Sequence, residues 1–327
     1  RTHRATIAAI VRVRRACAAH ERVRDAPAHD TVGRVGGLHD APLFSVVIAA
    51  RDAAGVLEEQ LDALAAQTYR GAWELVVADH GSVDRTASIA RAAASRFPHL
   101  RIVDASGRRG PGGARNAAAA VARGEFLCFV DADDRVDVRW LESLARNVEG
   151  ADALGGQVVA FGVRDGGRET TADRGFDALP TNDLGFLPNA TTANMCVRRR
   201  RFEEIGAFDD SFRTGEDIDL SWRLQLAGCE LRFAPDALVL HRERDGLTDL
   251  ARQFFRYGEA MPQLFRKFRH LGMPRSSPGE SMLVWLRAIA LAAVAWRSER
   301  TRRGWVQLVA QRAGRISGSV KARVLYL

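Results

Sequence analysis

Phe126-Leu127-Cys128-Phe129-Val130-Asp131-Ala132-Asp133-Asp134 decides the fold of this 327-residue chain. Its first five residues are all apolar and rich in aromatic and branched side chains, the signature of a strand buried on both faces. Three carboxylates follow within four residues, at the strand's end. Like charges ~4 Å apart repel by about 4 kcal/mol at an effective dielectric of ~20, so the cluster calls for a positive partner. Hard divalent cations such as Mg²⁺ or Mn²⁺ take oxygen ligands and meet that need. The competing reading is an acidic turn that caps a following helix over 138–148.

The pattern repeats on the N-terminal side. Apolar runs predict strands over 44–50, 74–78 and 101–104. Between them, Val56, Leu57, Leu61 and Leu64 fall at helical spacing over 56–66. A second helix is expected over 84–95 behind a Ser82/Asp84 cap, and an alanine-rich third over 112–122. Strand–helix alternation with continuous apolar strands argues for an α/β, Rossmann-type, mostly parallel sheet with helices on both faces. Ligands bind such sheets outside the carboxyl ends of the strands. Asp52, Asp79 and Asp131 stand at or just past those ends, so they should converge on one crevice.

Six stretches, in order, carry a family likeness. They are Ser45-Val-Val-Ile-Ala-Ala-Arg-Asp52; Gln67-Thr-Tyr69; the run from Glu74 to Asp79, continuing to Asp84 and Thr86; Gly110-Pro-Gly-Gly-Ala-Arg115-Asn116; Phe129-Val-Asp-Ala-Asp-Asp134; and Gly215-Glu-Asp217-Ile-Asp-Leu-Ser-Trp-Arg-Leu224. Together, over about 43–257, the chain resembles the family 2 glycosyltransferases. The resemblance implies a GT-A fold and inverting, single-addition transfer of a sugar from a nucleotide diphosphate to an acceptor hydroxyl. It implies donor contacts at Ala50, Asp52, Asp79, Arg115, Asn116, Asp131 and Arg256. It implies Mn²⁺ or Mg²⁺ at Asp131, Asp133 and His241, with Asp217 as the general base and Glu216 and Trp222 on the acceptor side.

Most of these residues also have a plain structural reading. Arg115 can be an exposed helix charge, Asp79 an Asx turn before Gly81, Glu216 a helix cap and Trp222 a half-buried core residue. His241 ends the apolar run 237–240 and can be an ordinary satisfied histidine. Asp134 either supports the metal ligands or is solvated, and Asp219 is structural or faces the acceptor. Gly110, Gly112 and Gly113 permit close backbone approach, without dinucleotide-fingerprint spacing. Two departures from the family matter. Asp79-His80 replaces a common acid pair, which leaves the donor base open. Tyr257 replaces the Trp of a Gln-x-x-Arg-Trp element in Gln253-Phe-Phe-Arg256-Tyr257, an element that belongs to processive synthases with several membrane helices.

Charge is distributed unevenly. Residues 1–24 carry seven Arg and one Glu, and 287–327 carry nine basic residues and one acid, so the middle of this +8 chain is acidic. We expect a basic extension over 1–42, a catalytic unit over 43–245 (donor half 43–134, acceptor half 135–245) and a basic helical segment over 246–327. Residues 282–296 are apolar except for Arg287, too short for the ~20 residues that span a bilayer. That segment lies on a membrane, packs on the core or self-associates. Basic tails without a recognition module point to an anionic membrane surface rather than nucleic acid. Cys17, Cys128, Cys196 and Cys229 are scattered without CxxC spacing, which fits a reducing cytoplasm, with the protein peripheral on the inner face of the membrane. Segment 164–188, rich in Gly, Asp and Arg, is expected to be a mobile loop over the acceptor site. A non-catalytic basic adaptor that retains the fold is the alternative function, and a nucleotidyltransferase would need an N-terminal glycine-rich loop. Asp131, Asp133 and Asp217 together favour the enzyme.

Overall fold

The apolar runs become adjacent strands. β1 (Phe44–Ala50), β2 (Trp73–Asp79), β3 (Leu100–Asp104) and β4 (Phe126–Asp131) form the parallel order β3-β2-β1-β4 in the computed structural model. It describes residues 43–165, 168–171, 175, 177–181, 185–275 and 277–326. Alternate side chains of β1 enter two different cores. Phe44, Val46 and Ile48 pack with Leu57, Leu61 and Leu64 of α1 (Leu57–Ala65) on one face. Val47 packs with Ala114, Ala117 and Ala118 of α3 (Gly110–Ala119) on the other. Between them in sequence, α2 (Thr86–Ala92) starts later than expected. Asp84 stays outside that helix and accepts from the Thr86 and Ala54 amides at 2.9 and 3.0 Å.

The second half departs from a parallel sheet. β5 (Arg135–Val136), α4 (Trp140–Asn147), β6 (Ala153–Asp165), β7 (Arg168–Thr171), β8 (Met195–Arg198), α5 (Arg199–Glu204), α6 (Glu216–Leu226) and β9 (Leu231–Arg242) complete it. The order runs β4-β8-β6-β9-β5, with β7 on β6, and only β6–β9 is parallel. The parallel character expected from the sequence therefore ends at β4. The pleat of β6 against β9 shifts between Gly156 and Gln157, beside the buried Asn194. The Asn194 amide nitrogen donates to the carbonyls of Gln157 and Ala237 at 2.8 and 2.7 Å, and its oxygen accepts from Trp140 Nε1 at 2.9 Å. The basic extension 1–42 lies outside the described residues, as do parts of the segment 164–188; its described residues Arg168–Thr171 form β7 and pair with β6, so that part is strand rather than loop.

Three helices follow: α7 (Leu247–Phe268), α8 (Pro278–Ala295) and α9 (Glu299–Ala322). A third core, with Trp222, Phe265, Phe268 and Tyr326, seats α7 against α6. Lys267 reinforces that joint through buried Asp219 at 2.6 Å and Asp209 at 2.7 Å. Cys128 and Cys196 face one another across β4 and β8 as buried free thiols, their sulfurs 3.3 Å apart.

Candidate active site

Strand register assembles the site. Ala50 pairs with Asp79 and Ala49 with Asp131, so three strands deliver their last residues to one sheet edge. Asp52, just past β1, adopts φ +49°, a left-handed conformation that Asp tolerates better than most residues. Its carboxylate accepts from the Val83 amide at 2.9 Å, and Asp79 accepts from the Ser82 amide at 3.2 Å. Asp79 thus braces the turn after β2, through the amide three residues on, while standing at the sheet edge. The Ala50 carbonyl accepts from the His80 amide at 2.8 Å.

Arg115 is the centre of the crevice. Its side chain is buried, donating to Asp131 Oδ1 at 2.6 Å and to Glu216 Oε1 at 2.8 Å. One guanidinium therefore joins the end of β4 to the start of α6. Burial alone would lower the Arg115 pKa, but the Asp131 and Glu216 charges overcome it and raise it. The exposed-helix reading of Arg115 is corrected: α3 buries that face against the acceptor half. Asn116 commits both ends of its amide to the Phe208 backbone, at 2.8 and 3.0 Å. The glycines of α3 serve the same joint. A Cβ on Gly112 would lie 3.2 Å from Phe208 and 3.4 Å from the Glu216 side chain.

Asp217 opens into this crevice. Gly215, at φ +83°, turns the chain into α6, and the following acids stand at the positive end of the helix dipole. Asp217 accepts from the Ile218 and Thr192 amides at 2.8 and 3.3 Å. Burial raises its pKa, which the Ile218 amide and Arg115 partly offset. Burial likewise raises that of Glu216, against the Arg115 charge. Asp219, on another face of α6, is fully buried between Arg223 at 2.7 Å and Lys267, and is structural.

On the far side of Asp131, His241 Nδ1 lies 2.9 and 3.0 Å from the two oxygens of Asp134, which also accepts from the Arg242 amide at 3.0 Å. Burial alone would lower the His241 pKa, but the Asp134 hydrogen bond and carboxylate charges raise it. Asp134 is fully buried, not solvated. Asp131, Asp134 and His241 each bring a ligand atom within 4.8 Å of the others, an oxygen-and-imidazole set suited to a divalent cation. Asp133 stands apart from that cluster, its carboxylate 3.1 Å from Arg244.

Two expected site residues lie elsewhere. Trp222 is fully buried, donates to the Leu187 carbonyl at 2.9 Å and meets Phe186 and Phe268 edge-on at 5.0 and 5.3 Å. It is core, because segments remote in sequence close over its helix face. Arg256 lines a groove of about 420 Å³ between α7 and α9 with Phe255, Glu259 and Ala310. The charges of Asp217 and Asp131 act on its neighbour Tyr257. Desolvation at its hydroxyl, with those charges, pushes that group up to about 12 although the residue as a whole is 40% exposed, and Gln253 donates to it at 2.8 Å.

Sequence reading missed Gln60, which donates to the Asp131 carbonyl at 3.1 Å and accepts from the Val136 amide at 3.1 Å. A polar residue inside the apolar stripe Leu57, Leu61, Leu64 was the available signal. Thr192 had none, since its amide reaches Asp217 from a segment with no periodicity.

The chain is similar to known proteins in sequence and fold. The glycosyl transferase family 2 profile matches residues 45–206, and that of glycosyl transferase family group 2 matches 126–309. Glycosyltransferase AglE of Haloferax volcanii is 30% identical over 228 residues, covering 68% of this chain and 74% of AglE. Pre-mycofactocin glycosyltransferase of Mycobacterium tuberculosis is 31% identical over 195 residues, where the match covers 54% of this chain and 40% of the relative. The solved mannosyltransferase PcManGT of Pyrobaculum calidifontis, in complex with GDP-Man and Mn²⁺, superposes with a TM-score of 0.61 at 18% identity, covering 97% of this chain and 96% of that one. That likeness shows the GT-A fold. Profiles spanning both halves of the crevice, and a relative matched over most of its length, settle the family: the chain belongs to glycosyl transferase family 2 and is a glycosyltransferase.

Proposed function

We propose that the enzyme moves one sugar from a nucleotide-diphosphate sugar to an acceptor hydroxyl with inversion. The observation that carries this reading is the juxtaposition, through Arg115, of Asp131 on the donor half with Asp217 on the acceptor half. An acceptor hydroxyl is a weak nucleophile until its proton is taken, and Asp217, held by two amides, is the base. One base without a partner carboxylate nucleophile supports a single displacement. Asp52, Asp79 and Ala50 border the nucleoside end, and Tyr257 borders the acceptor end.

Asp131 and His241 are the residues that would hold Mn²⁺ or Mg²⁺. Asp134, 3.0 Å from His241 Nδ1, would orient the imidazole toward the cation. Asp133 is the third candidate, held here by Arg244. When bound, the cation supplies Lewis-acid neutralisation of the leaving diphosphate. The acceptor is a glycan, glycolipid or small-molecule hydroxyl. The basic C-terminal segment works at an anionic membrane surface, on the cytoplasmic side.

The test is nucleotide release from UDP-, GDP- and dTDP-sugars without acceptor, with and without Mn²⁺. Calorimetry of the matching nucleoside diphosphate completes it. Binding that is equally tight in EDTA would remove the metal from the reading, and no release from any donor would remove the transfer.

A further inference from the structure

The transfer chemistry leaves one surface unused. In α8, Met282, Leu286, Ile289, Ala293 and Trp296 recur every three or four residues and so share a face. That face is bare: Met282, Leu286, Ile289 and Trp296 are 63, 55, 69 and 68% exposed, with Leu283 beside them at 67%. Within the helix only Ser281, Ala288 and Ala295 are buried. The helix is nonetheless well made, opening on a complete Ser277/Glu280 capping box with Pro278 in its first turn. A continuous bare apolar stripe on a finished helix marks a binding surface.

Charge identifies what covers it. Arg287, Arg297 and Arg300 are exposed around the stripe, and Arg302 lies 5.7 Å over the Trp296 ring. The surrounding segment 287–327 holds nine basic residues against Glu299 alone. Aliphatic side chains flanked by Trp and Arg fit the boundary between acyl chains and anionic headgroups.

The same neighbours fix the orientation. The 18 residues of α8 have a mean hydropathy of 1.3, enough by composition to enter a membrane. At 1.5 Å per residue they reach about 27 Å, just short of a hydrocarbon core of ~30 Å. The ties of the helix are more decisive. Trp305 Nε1 donates to the Ala288 carbonyl at 2.8 Å and Thr301 Oγ1 to the Ala295 carbonyl at 3.1 Å, pinning α8 antiparallel to α9. α9 is in turn locked to α7: a Cβ on Gly258 would lie 1.9 Å from the Gln311 carbonyl, and one on Gly314 2.0 Å from that of Phe255. Arg303 holds the β9 exit, donating to Glu243 at 3.0 Å and to the Arg244 carbonyl at 2.8 Å. For α8 to stand upright, these ties would have to break, or the α9 arginines would be dragged into hydrocarbon.

We propose that α8 is an in-plane anchor: its bare face lies in the headgroup boundary of an anionic bilayer, with Arg287, Arg297 and Arg300 on lipid phosphates. Through α9 and Arg303 the anchor is tied to the exit of β9, where Arg244 pairs with Asp133. The proposal rests on the membrane partner named above and is independent of the sugar transferred.

Flotation of the full chain with phosphatidylcholine vesicles, with and without phosphatidylglycerol, tests it. The double variant Leu286→Asp/Ile289→Asp changes two exposed side chains, so its circular dichroism and donor hydrolysis should match the parent. The parent should float only with anionic vesicles, release in high salt and be extracted by alkaline carbonate. The variant should bind at least about tenfold more weakly. Undiminished binding by the variant, equal binding to neutral vesicles or resistance to carbonate each overturns the in-plane anchor. So does an absence of vesicle binding combined with a dimer that the two substitutions dissociate, since a second copy would then cover the face. If neither protein hydrolyses any donor but the vesicle pattern holds, the anchor stands and the transfer reading falls.

Discussion

The two halves of the sheet share their apolar cores but differ in what is added to them. In the donor half, β1, β2 and β4 are buried and the edge strand β3 is half-buried, and they stand on aliphatic side chains of α1 and α3. In the acceptor half, β6, β8 and β9 enter the same two cores through Leu154, Met195 and Val239, and buried Asn194, Asp219 and Glu216 add directional ties. Apolar burial is non-directional and tolerates repacking. Buried polar pairs are directional, and costly once a partner is lost. The catalytic acids lie on the seam, so the first half supplies a rigid edge and the second supplies aim.

Asp217→Asn tests the aim most severely. The change keeps size and the amide contacts but removes the basic lone pair, and base loss costs about 10²–10⁴ in rate. Donor affinity should hardly change. Near-normal turnover by a folded variant would move the base to another group, with Glu216 the next to substitute.

Arg115→Ala breaks the seam itself. It leaves Asp131 and the buried Glu216 without their shared cation, and removing one partner of a buried pair costs about 3–5 kcal/mol. Urea unfolding should register that loss. Exposed Arg200→Ala, which breaks the solvent-facing Glu204 pair, should cost less than about 0.5 kcal/mol. Equal losses would mean that the seam is not under the electrostatic load inferred here.

The donor half was legible because its information is local. Each strand is a continuous apolar run, and the helix between two strands shows its own period. Asp52, Asp79 and Asp131 could be placed at one edge from strand ends alone. The acceptor half hides its partners. β9 contains Pro235 and alternates less cleanly, and β6 shifts register at Gly156, so neither declares itself in the sequence. Asp134 gains its meaning from His241 and Arg242, more than a hundred residues away. Arg256 and Tyr257 both sit on α7, but period alone does not show that the charges of the acids reach Tyr257.

The pH profile sharpens the contrast between the halves. Burial raises the Asp217 pKa, so the general base stays protonated to a higher pH than an ordinary carboxylate of about 4. The acid limb of kcat/KM should lie above that range and fall about tenfold per pH unit below the raised pKa. Stability should move the opposite way. Between the unfolded and the raised folded value, the native state holds the extra proton, so this contribution is lost as pH rises through the window. An acid limb at the ordinary carboxylate position would show that Asp217 is well solvated in the working enzyme.

The smallest kinetic effect is expected at Trp222→Phe, and it separates packing from recognition. Phe retains the edge-on contacts with Phe186 and Phe268 but loses the indole donor to the Leu187 carbonyl. An unpaired buried acceptor costs about 1–3 kcal/mol, visible as a lower urea midpoint at unchanged slope. Because the ring is fully enclosed, it cannot stack on a sugar, and the acceptor KM should stay within about twofold of the parent. A rise in KM without loss of stability would mean that the ring reaches the acceptor in the working state. The joint between α6 and α7 would then have to open during turnover, and the polar contacts that now lock Asp219 to Lys267 would be part of that motion.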